Sequence, residues 1–195
     1  SVITGAPSTL TLKDLEKQIE LIKRSKIFLT QLEIPKDVTL ECLKIAKENN
    51  VTTILNPAPA SKLSNNFFQH IDYFTPNETE AEFYSGIKIS HEQDASSAAA
   101  KLLEMGVKNV IITLGEKGLF YFDGEEKIYI KASPVDSVDT TGAGDAFNGA
   151  LAYGLSLNKS IKECLDLANR AAGLSTTKIG AGNAMPFKKD LKLID

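Results

Sequence analysis

Apolar residues along the chain fall into two spacings, one typical of strands and one typical of helices. Short apolar runs predict four buried strands, at 27–30, 51–55, 71–74 and 110–114. Two more strands, 119–122 and 127–131, are predicted to form a hairpin around Asp123 and Gly124. Apolar residues three and four positions apart predict helices at 11–22, 35–49, 77–86, 95–106, 142–154 and 161–172.

Strands that alternate with helices predict an α/β fold with a mostly parallel sheet and helices on both of its faces. No repeat, low-complexity tract or linker interrupts the pattern, so we expect one domain over 1–195. The segments with unusual composition, such as the proline-rich stretch at 56–60, follow strands directly. Parallel sheets bind ligands at the carboxyl ends of their strands, which makes these loops the first candidates for a site.

Composition excludes several function classes. Apolar residues make up 43% of the 195 residues and charged residues 24%, as in ordinary globular proteins. A net charge of −3 gives no indication of nucleic acid or an anionic membrane as a partner, and no apolar run is long enough to span a bilayer. Cys42 and Cys164 lie in helical patterns and are predicted to be buried, reduced thiols of a cytoplasmic protein. His70 and His91 lack the spacing of zinc ligands.

The stretch 138–151 begins as a loop and ends as a helix. Gly142 and Gly144 stand where the helix begins, where the missing Cβ lets an anion approach the backbone and the helix N-terminus favours a phosphate. Asp145 at the same place would repel a bound phosphate. Its presence is explained if it takes a proton from a nucleophile that attacks the phosphate, whereas the alternative is a glycine-rich turn capped by Asp145.

The sequence DTTGAGDAF at 139–147 resembles the signature D-T-x-G-A-G-D-x-F of the ribokinase-like (PfkB) sugar kinases. The resemblance implies a three-layer ribokinase-like α/β fold and an ATP-dependent transfer of phosphate to a sugar hydroxyl. It implies Asp145 as the base, also in contact with the sugar, and an anion hole made by the backbone N–H groups of Gly142, Ala143, Gly144 and Asp145.

The sequence NETE at 77–80 resembles the N-x-x-E motif of the same family. The resemblance implies that Asn77 and Glu80 organise Mg²⁺ indirectly, through its waters and the nucleotide phosphates. The spacing is also that of a capping box, in which the two side chains bond each other's backbone N–H groups. Both interpretations can hold together.

Other positions match the family's ligand-binding residues. The resemblance places Glu33 against a sugar hydroxyl, and it places six residues around ATP besides Gly144: Asn56, Thr113, Gly115, Lys117, Gly118 and Asn169. Each has a structural alternative. Glu33 could be a surface carboxylate, Asn56 a turn residue before proline, 115–118 an ordinary glycine turn, and Asn169 a solvated helix residue.

The resemblance also implies a K⁺ site beside the anion hole, with five ligand positions: Asp139, Thr141, Ser175, Lys178 and Gly180. Ala184 departs from the pattern, because the family's ribokinase branch usually has a hydroxyl there. Asp139 could instead only cap its loop.

The stretches QLE at 31–33, NPAPA at 56–60 and PNETEAE at 76–82 are most similar to the ribokinase branch, which implies D-ribose as the substrate and ribose 5-phosphate as the product. The family's N-terminal signature G-G-x-x-x-N and its lid are missing, so we expect a C-terminal piece of a longer kinase that is homodimeric when complete. We expect this piece alone to bind nucleotide weakly and to have little or no sugar kinase activity. Two alternatives are a family member acting on fructose, a nucleoside or a related alcohol, and a nucleotide-binding module without activity.

Overall fold

The computed structural model describes residues 5–191. Its helices are α1 (Leu12–Glu16), α2 (Ile19–Lys23), α3 (Lys36–Glu48), α4 (Glu78–Ser85), α5 (Glu92–Glu104), α6 (Ala143–Ser156) and α7 (Ile161–Ser175). Its strands are β1 (Ile27–Thr30), β2 (Thr52–Leu55), β3 (Tyr73–Phe74), β4 (Asn109–Thr113), β5 (Leu119–Phe122) and β6 (Lys127–Ile130). The predicted strands and the helices after residue 35 are therefore present.

The strands form one sheet in the order β1-β2-β3-β4-β5-β6. The first four strands are parallel, with Leu55 paired to Thr30 on one side and to Phe74 on the other, and Phe74 paired to Val110. This arrangement confirms the predicted mostly parallel α/β sheet. The turn between β5 and β6 is held by Asp123, whose carboxylate accepts the N–H groups of Glu125 and Glu126.

Strand β3 is shorter than its apolar run. Ile71 is fully buried, but the ladder begins only at Tyr73. The reason is a local exchange of hydrogen bonds, because the Asp72 carboxylate accepts the Thr53 N–H at 3.0 Å and the Asp72 N–H donates to the Thr53 hydroxyl at 2.8 Å. Side chains thus take the place of strand partners at this position.

The predicted helix over 11–22 is wrong as one element. Thr11 caps α1 in a capping box with Asp14, as its side chain predicts, but the chain turns after Glu16, where the Gln18 N–H bonds the Leu15 carbonyl. The helix restarts at Ile19. Leu15, Ile19 and Ile22 pack against α3 as the apolar spacing indicated, whereas Leu12 remains 47% exposed.

By its internal contacts the described chain divides into two compact units. The first unit comprises 5–113 and 120–127, and the second comprises 114–119 and 128–191. One core cluster of the first unit joins α1 and α2 to α3 and Val51. In the second unit α6 packs closely on α7, since a Cβ on Gly154 would lie 2.9 Å from the Cys164 sulfur. Cys42 and Cys164 are buried free thiols, as expected.

Within 5–191 no helix combines the length and apolar character needed to cross a membrane.

Candidate active site

In the first unit, hydrogen bonds join the loops that follow the parallel strands. The Asn56 N–H donates to the Thr30 carbonyl at 3.0 Å, and the Leu32 N–H donates to the Ala58 carbonyl at 2.9 Å. The Thr75 N–H donates to the Leu55 carbonyl at 3.0 Å. The segments after β1, β2 and β3 are therefore tied together at the carboxyl edge of the sheet, where we expected them to meet.

The loops after β1 and β2 carry two predicted ligand-binding residues. Glu33 is exposed, as a sugar ligand or a surface carboxylate would be. Asn56 is 8% exposed, and its side-chain oxygen accepts the Ala58 N–H at 3.1 Å. Asn56 therefore shapes its own loop, which fits the turn interpretation and leaves its amide group for a second partner.

Asn77 and Glu80 form the predicted capping box at the start of α4. The Glu80 carboxylate accepts the Asn77 N–H at 2.9 Å, and the Asn77 side chain accepts the Glu80 N–H at 2.8 Å. Glu80 is 8% exposed, and burial raises its pKa while the Asn77 N–H acts in the opposite direction. Thr113, the last residue of β4, pairs with Asn77, and its N–H bonds the Pro76 carbonyl at 3.0 Å. The structure thus brings Asn77, Glu80 and Thr113 together.

This pair fits the indirect binding of Mg²⁺. Each side chain uses one oxygen as a hydrogen-bond acceptor in the cap. The Glu80 carboxylate has a second oxygen, which can accept a hydrogen bond from a metal-bound water. Mg²⁺ keeps several waters and needs few protein ligands. The described residues contain no group of three or more His, Cys, Asp or Glu side chains that could enclose a metal.

In the second unit, helix α6 begins at a left-handed residue, Gly142, with φ of +78°. A Cβ there would lie 2.9 Å from the Met185 methyl group and 3.3 Å from the Ala181 Cβ, so both the conformation and the space require glycine. The first bond of the helical ladder runs from the Ala146 N–H to the Gly142 carbonyl. The N–H groups of 142–145 therefore precede the ladder and lie at the positive end of the helix.

Two details of this turn bear on the anion hole. The Ala143 N–H already donates to the Thr140 carbonyl at 3.2 Å, which makes it a weaker anion donor than its neighbours. Asp145, in the first turn of the helix, is exposed, so its carboxylate is accessible to a substrate.

Asp139 organises the loop before α6. One carboxylate oxygen accepts the Thr141 N–H at 2.9 Å and hydroxyl at 2.7 Å, and the other accepts the Gly180 N–H at 2.9 Å. Together these bonds lower the pKa of Asp139 to about 2, and the bond from the Gly180 N–H has the largest effect. The Asp139 N–H donates to the Thr176 carbonyl at 3.1 Å. Three of the five predicted K⁺ ligand positions, Asp139, Thr141 and Gly180, are thus in contact.

At the remaining predicted K⁺ positions, the side chains offer little for binding a cation. Ser175 is fully buried, and its hydroxyl donates to the Ala172 carbonyl, so its side chain serves the end of α7. Lys178 is exposed. Ala184 is buried and supplies no side-chain oxygen. A monovalent cation here would depend mainly on backbone carbonyls.

The predicted nucleotide turn at 115–118 contains a 3-10 turn, Gly115–Lys117, and is closed by a hydrogen bond from the Leu114 N–H to the Gly118 carbonyl at 2.8 Å. Gly115 faces open space, but a Cβ on Gly118 would lie 1.9 Å from the Ile130 carbonyl oxygen. The left-handed backbone and this overlap together explain Gly118 without a ligand. The Lys117 carbonyl accepts the Tyr129 hydroxyl at 2.8 Å.

Asn169 reaches the same region, because its amide donates to the Lys131 carbonyl at 2.8 Å.

A cavity of about 330 Å³ in the second unit contains Asp145 in its wall. One side is a face of α6, and the other is the segment 185–191, which sequence reasoning did not assign to the site. Its lining residues are Asp145, Ala146, Gly149, Ala150, Tyr153, Ala171, Met185, Pro186, Lys188 and Leu191. The repeat of small residues along α6 was the signal that could have indicated a cavity.

The sequence matches a protein-family model and is similar to several ribokinases. Residues 2–188 match the family model described as pfkB family carbohydrate kinase. The chain is 38% identical to the ribokinase of Staphylococcus aureus (strain COL) over 196 residues, which cover 99% of this chain and 64% of that protein. It is 40% identical to the ribokinase of Mus musculus over 197 residues, which cover 98% of this chain and 61% of that protein.

Among solved structures, that of Arabidopsis thaliana ribokinase complexed with ribose and ATP superposes with a TM-score of 0.87 at 34% identity. The superposition covers 95% of this chain and 59% of the plant protein. The chain thus spans less than two thirds of the length of these relatives. The likeness confirms the predicted fold class.

Proposed function

Because the chain belongs to the pfkB family of carbohydrate kinases, we propose that it carries the nucleotide site and the catalytic base of an ATP-dependent sugar kinase, with D-ribose as the substrate. The observation that carries this proposal is the position of Asp145. An accessible carboxylate lies in the first turn of α6, beside N–H groups suited to an anion and in the wall of a cavity of about 330 Å³. A cavity of this size is suitable for a small ligand.

In this mechanism Asp145 accepts the proton of a ribose hydroxyl while the hydroxyl oxygen attacks the γ-phosphorus of ATP. The new O–P bond forms as the bond to the leaving oxygen breaks, and ADP departs with that bond's electron pair. The N–H groups of Gly142, Gly144 and Asp145 donate to the phosphoryl oxygens as charge builds up. Ala143 contributes less, because its N–H is shared with the Thr140 carbonyl.

Residues of the first unit would serve the nucleotide. Asn77 and Glu80 would hold the water shell of Mg²⁺, which offsets the negative charge of the phosphates when bound. Thr113 is paired in register with Asn77 and would lie beside the same phosphates. The roles of Glu33 on the sugar, and of Asn56, Gly115, Lys117, Gly118 and Asn169 on ATP, stay predictions.

K⁺ would stabilise the loop held by Asp139. The contacts of Asp139 with Thr141 and Gly180 already tie the loop before α6 to the segment after α7, and a cation bound to nearby carbonyls would reinforce that link. The position of the anion-hole N–H groups would then depend on K⁺. The cytoplasmic location, the single domain and the homodimer of the complete protein also stay predictions.

The test is ADP release from Mg-ATP with D-ribose, with and without K⁺. We would assay the chain alone and a chimaera that joins it to the N-terminal part of mouse ribokinase. We expect ribose-dependent, K⁺-stimulated release by the chimaera. Asp145→Asn should lower it by roughly a thousandfold or more while sparing nucleotide affinity, because the amide cannot take the proton.

Two controls separate the outcomes. Asp136→Asn, a change to an exposed carboxylate outside the 139–147 motif, should leave turnover unchanged. Persistent activity of the Asp145→Asn chimaera would show that Asp145 is not the base. A folded chimaera that binds ATP but stays silent with ribose, fructose and a nucleoside would favour a nucleotide-binding module instead.

A further inference from the structure

The cavity that contains Asp145 has one wall that the proposed mechanism does not use. This wall is the segment 185–191, and Lys188 is the only basic residue among the cavity-lining residues in the part of the chain that the structure describes. We propose that Lys188 contacts the transferring γ-phosphoryl group from the side opposite the α6 N-terminus. This assignment rests on the proposed kinase function and adds a residue to it.

The wall that carries Lys188 is anchored at both ends. At its start, Met185 packs against Gly142, the left-handed residue that opens α6, and its methyl group would lie only 2.9 Å from a Cβ placed on that glycine. At its end, Leu191 is buried in a cluster with Leu167 and Ala171 of α7, and its carbonyl accepts a hydrogen bond from Arg170 at 2.8 Å. Lys188 therefore lies on a segment held against both helices that enclose the cavity.

The opposite wall leaves room for a substrate group. Asp145, Gly149 and Tyr153 are four residues apart and share one face of α6, together with Ala146 and Ala150. Glycine and alanine at three of these positions keep the space beside Asp145 open. A phosphoryl group at the α6 N-terminus would meet this cavity at Asp145, and the exposed Lys188 belongs to the facing wall.

The charges support the same placement. A transferring phosphoryl group and the Asp145 carboxylate are both negative, so a cationic side chain near them, in addition to Mg²⁺ and the N–H groups of 142–145, would stabilise the phosphoryl group. The sequence has no Walker A lysine motif to supply a cation. Phosphoryl transfer depends on positioning and charge stabilisation, and a lysine acts on phosphate as a point charge. Lys188 is suited to that task.

The test compares an ATP analogue with ADP, because only the analogue carries a γ-phosphoryl group. Calorimetry with Mg²⁺ and the β,γ-imido analogue of ATP, or ADP, would be run on the chain and its variants. Lys188→Gln should weaken analogue binding by about tenfold and change ADP binding less than twofold, since a hydrogen bond to a charged group is lost only with the analogue. Lys188→Arg should retain most of the analogue affinity.

Lys189→Gln is the matched control. Lys189 is the next residue, is also exposed, has its ammonium group 5.7 Å from the centre of the Phe187 ring, and is not part of the cavity wall. This variant should bind both nucleotides like the parent chain, and unfolding temperatures should agree among all variants.

Equal analogue affinity for Lys188→Gln and the parent chain would overturn the role of Lys188 and leave the kinase proposal standing. A parent chain that binds neither nucleotide would overturn both. In the chimaera, Lys188→Gln should also lower the rate of ADP release at saturating substrates, and an unchanged rate would count against the contact in the transition state.

Discussion

At the scale of single residues, two glycines with left-handed backbone conformations differ in the physical reason that requires glycine. Gly118 has φ of +107°, and a Cβ there would overlap the Ile130 carbonyl oxygen at 1.9 Å. Gly124 has a similar φ of +102°, but a Cβ there would meet nothing within 4 Å. The two positions therefore separate backbone strain from steric overlap.

Gly118→Ala should lower the free energy of unfolding by about 3 kcal/mol or more, because strain and overlap act together. Gly124→Ala, the control for strain alone, should cost about 1 kcal/mol. Urea unfolding monitored by circular dichroism measures both values. Equal losses at the two sites would show that the backbone of 130–132 moves aside and that packing does not explain Gly118.

At the scale of elements, the cap of α4 combines stability with a proposed function. Glu80 is buried, and its carboxylate accepts a backbone N–H at the start of the helix. Burial raises its pKa in the folded chain. A raised pKa means that the protonated form contributes stability at low pH, and that this contribution is lost as the pH rises through the folded-state pKa.

Glu80→Gln keeps an oxygen that can accept the Asn77 N–H but removes the charge. Relative to this variant, the parent chain should therefore lose stability as the pH rises from about 4, near the ordinary pKa of a glutamate, through the raised pKa of Glu80 in the folded chain. Urea unfolding of both proteins across that range tests the sign. A difference that is flat or opposite in slope would contradict the burial argument.

The same variant should still lose Mg²⁺-dependent turnover in the chimaera, because an amide is a poor partner for a cation's waters. Asn77→Ala differs, since it removes the acceptor for the Glu80 N–H and should cost about 1 kcal/mol of stability as well.

At the scale of the whole molecule, the expected rate of ADP release depends mainly on how much of its relatives' length the chain spans. It spans 64% of the Staphylococcus aureus ribokinase and 61% of the mouse protein. Under the proposed kinase function, residues in the part of these relatives that the chain does not match would help to position the sugar, and positioning contributes a large part of the rate of phosphoryl transfer.

We therefore predict that the chain alone releases ADP with ribose at least roughly a hundredfold more slowly than the chimaera, since even small errors of placement have effects of that size. Steady-state assays at matched protein concentration give the ratio. Nucleotide affinities within about tenfold of each other would show that the loss lies in the transfer step. Equal rates would mean that this chain holds a complete sugar site.

The sequence by itself determined the local structure. The capping boxes at Thr11 and Asn77 and the left-handed end of α4 at Gly86 each depend on a few adjacent residues. The strand runs and the motif at 139–147 are equally local, so pattern and spacing were sufficient to predict them. The family resemblance followed from the same short stretches.

Only the tertiary structure decided which segments meet. The division of the helix at Gln18, the overlap that requires glycine at 118, and the hydrogen bond between Arg170 and Leu191 all involve packing between separate elements. Residues far apart in the chain contribute to such contacts, and no periodicity records them. For this reason the wall formed by 185–191, and Lys188 within it, became visible only in the folded chain.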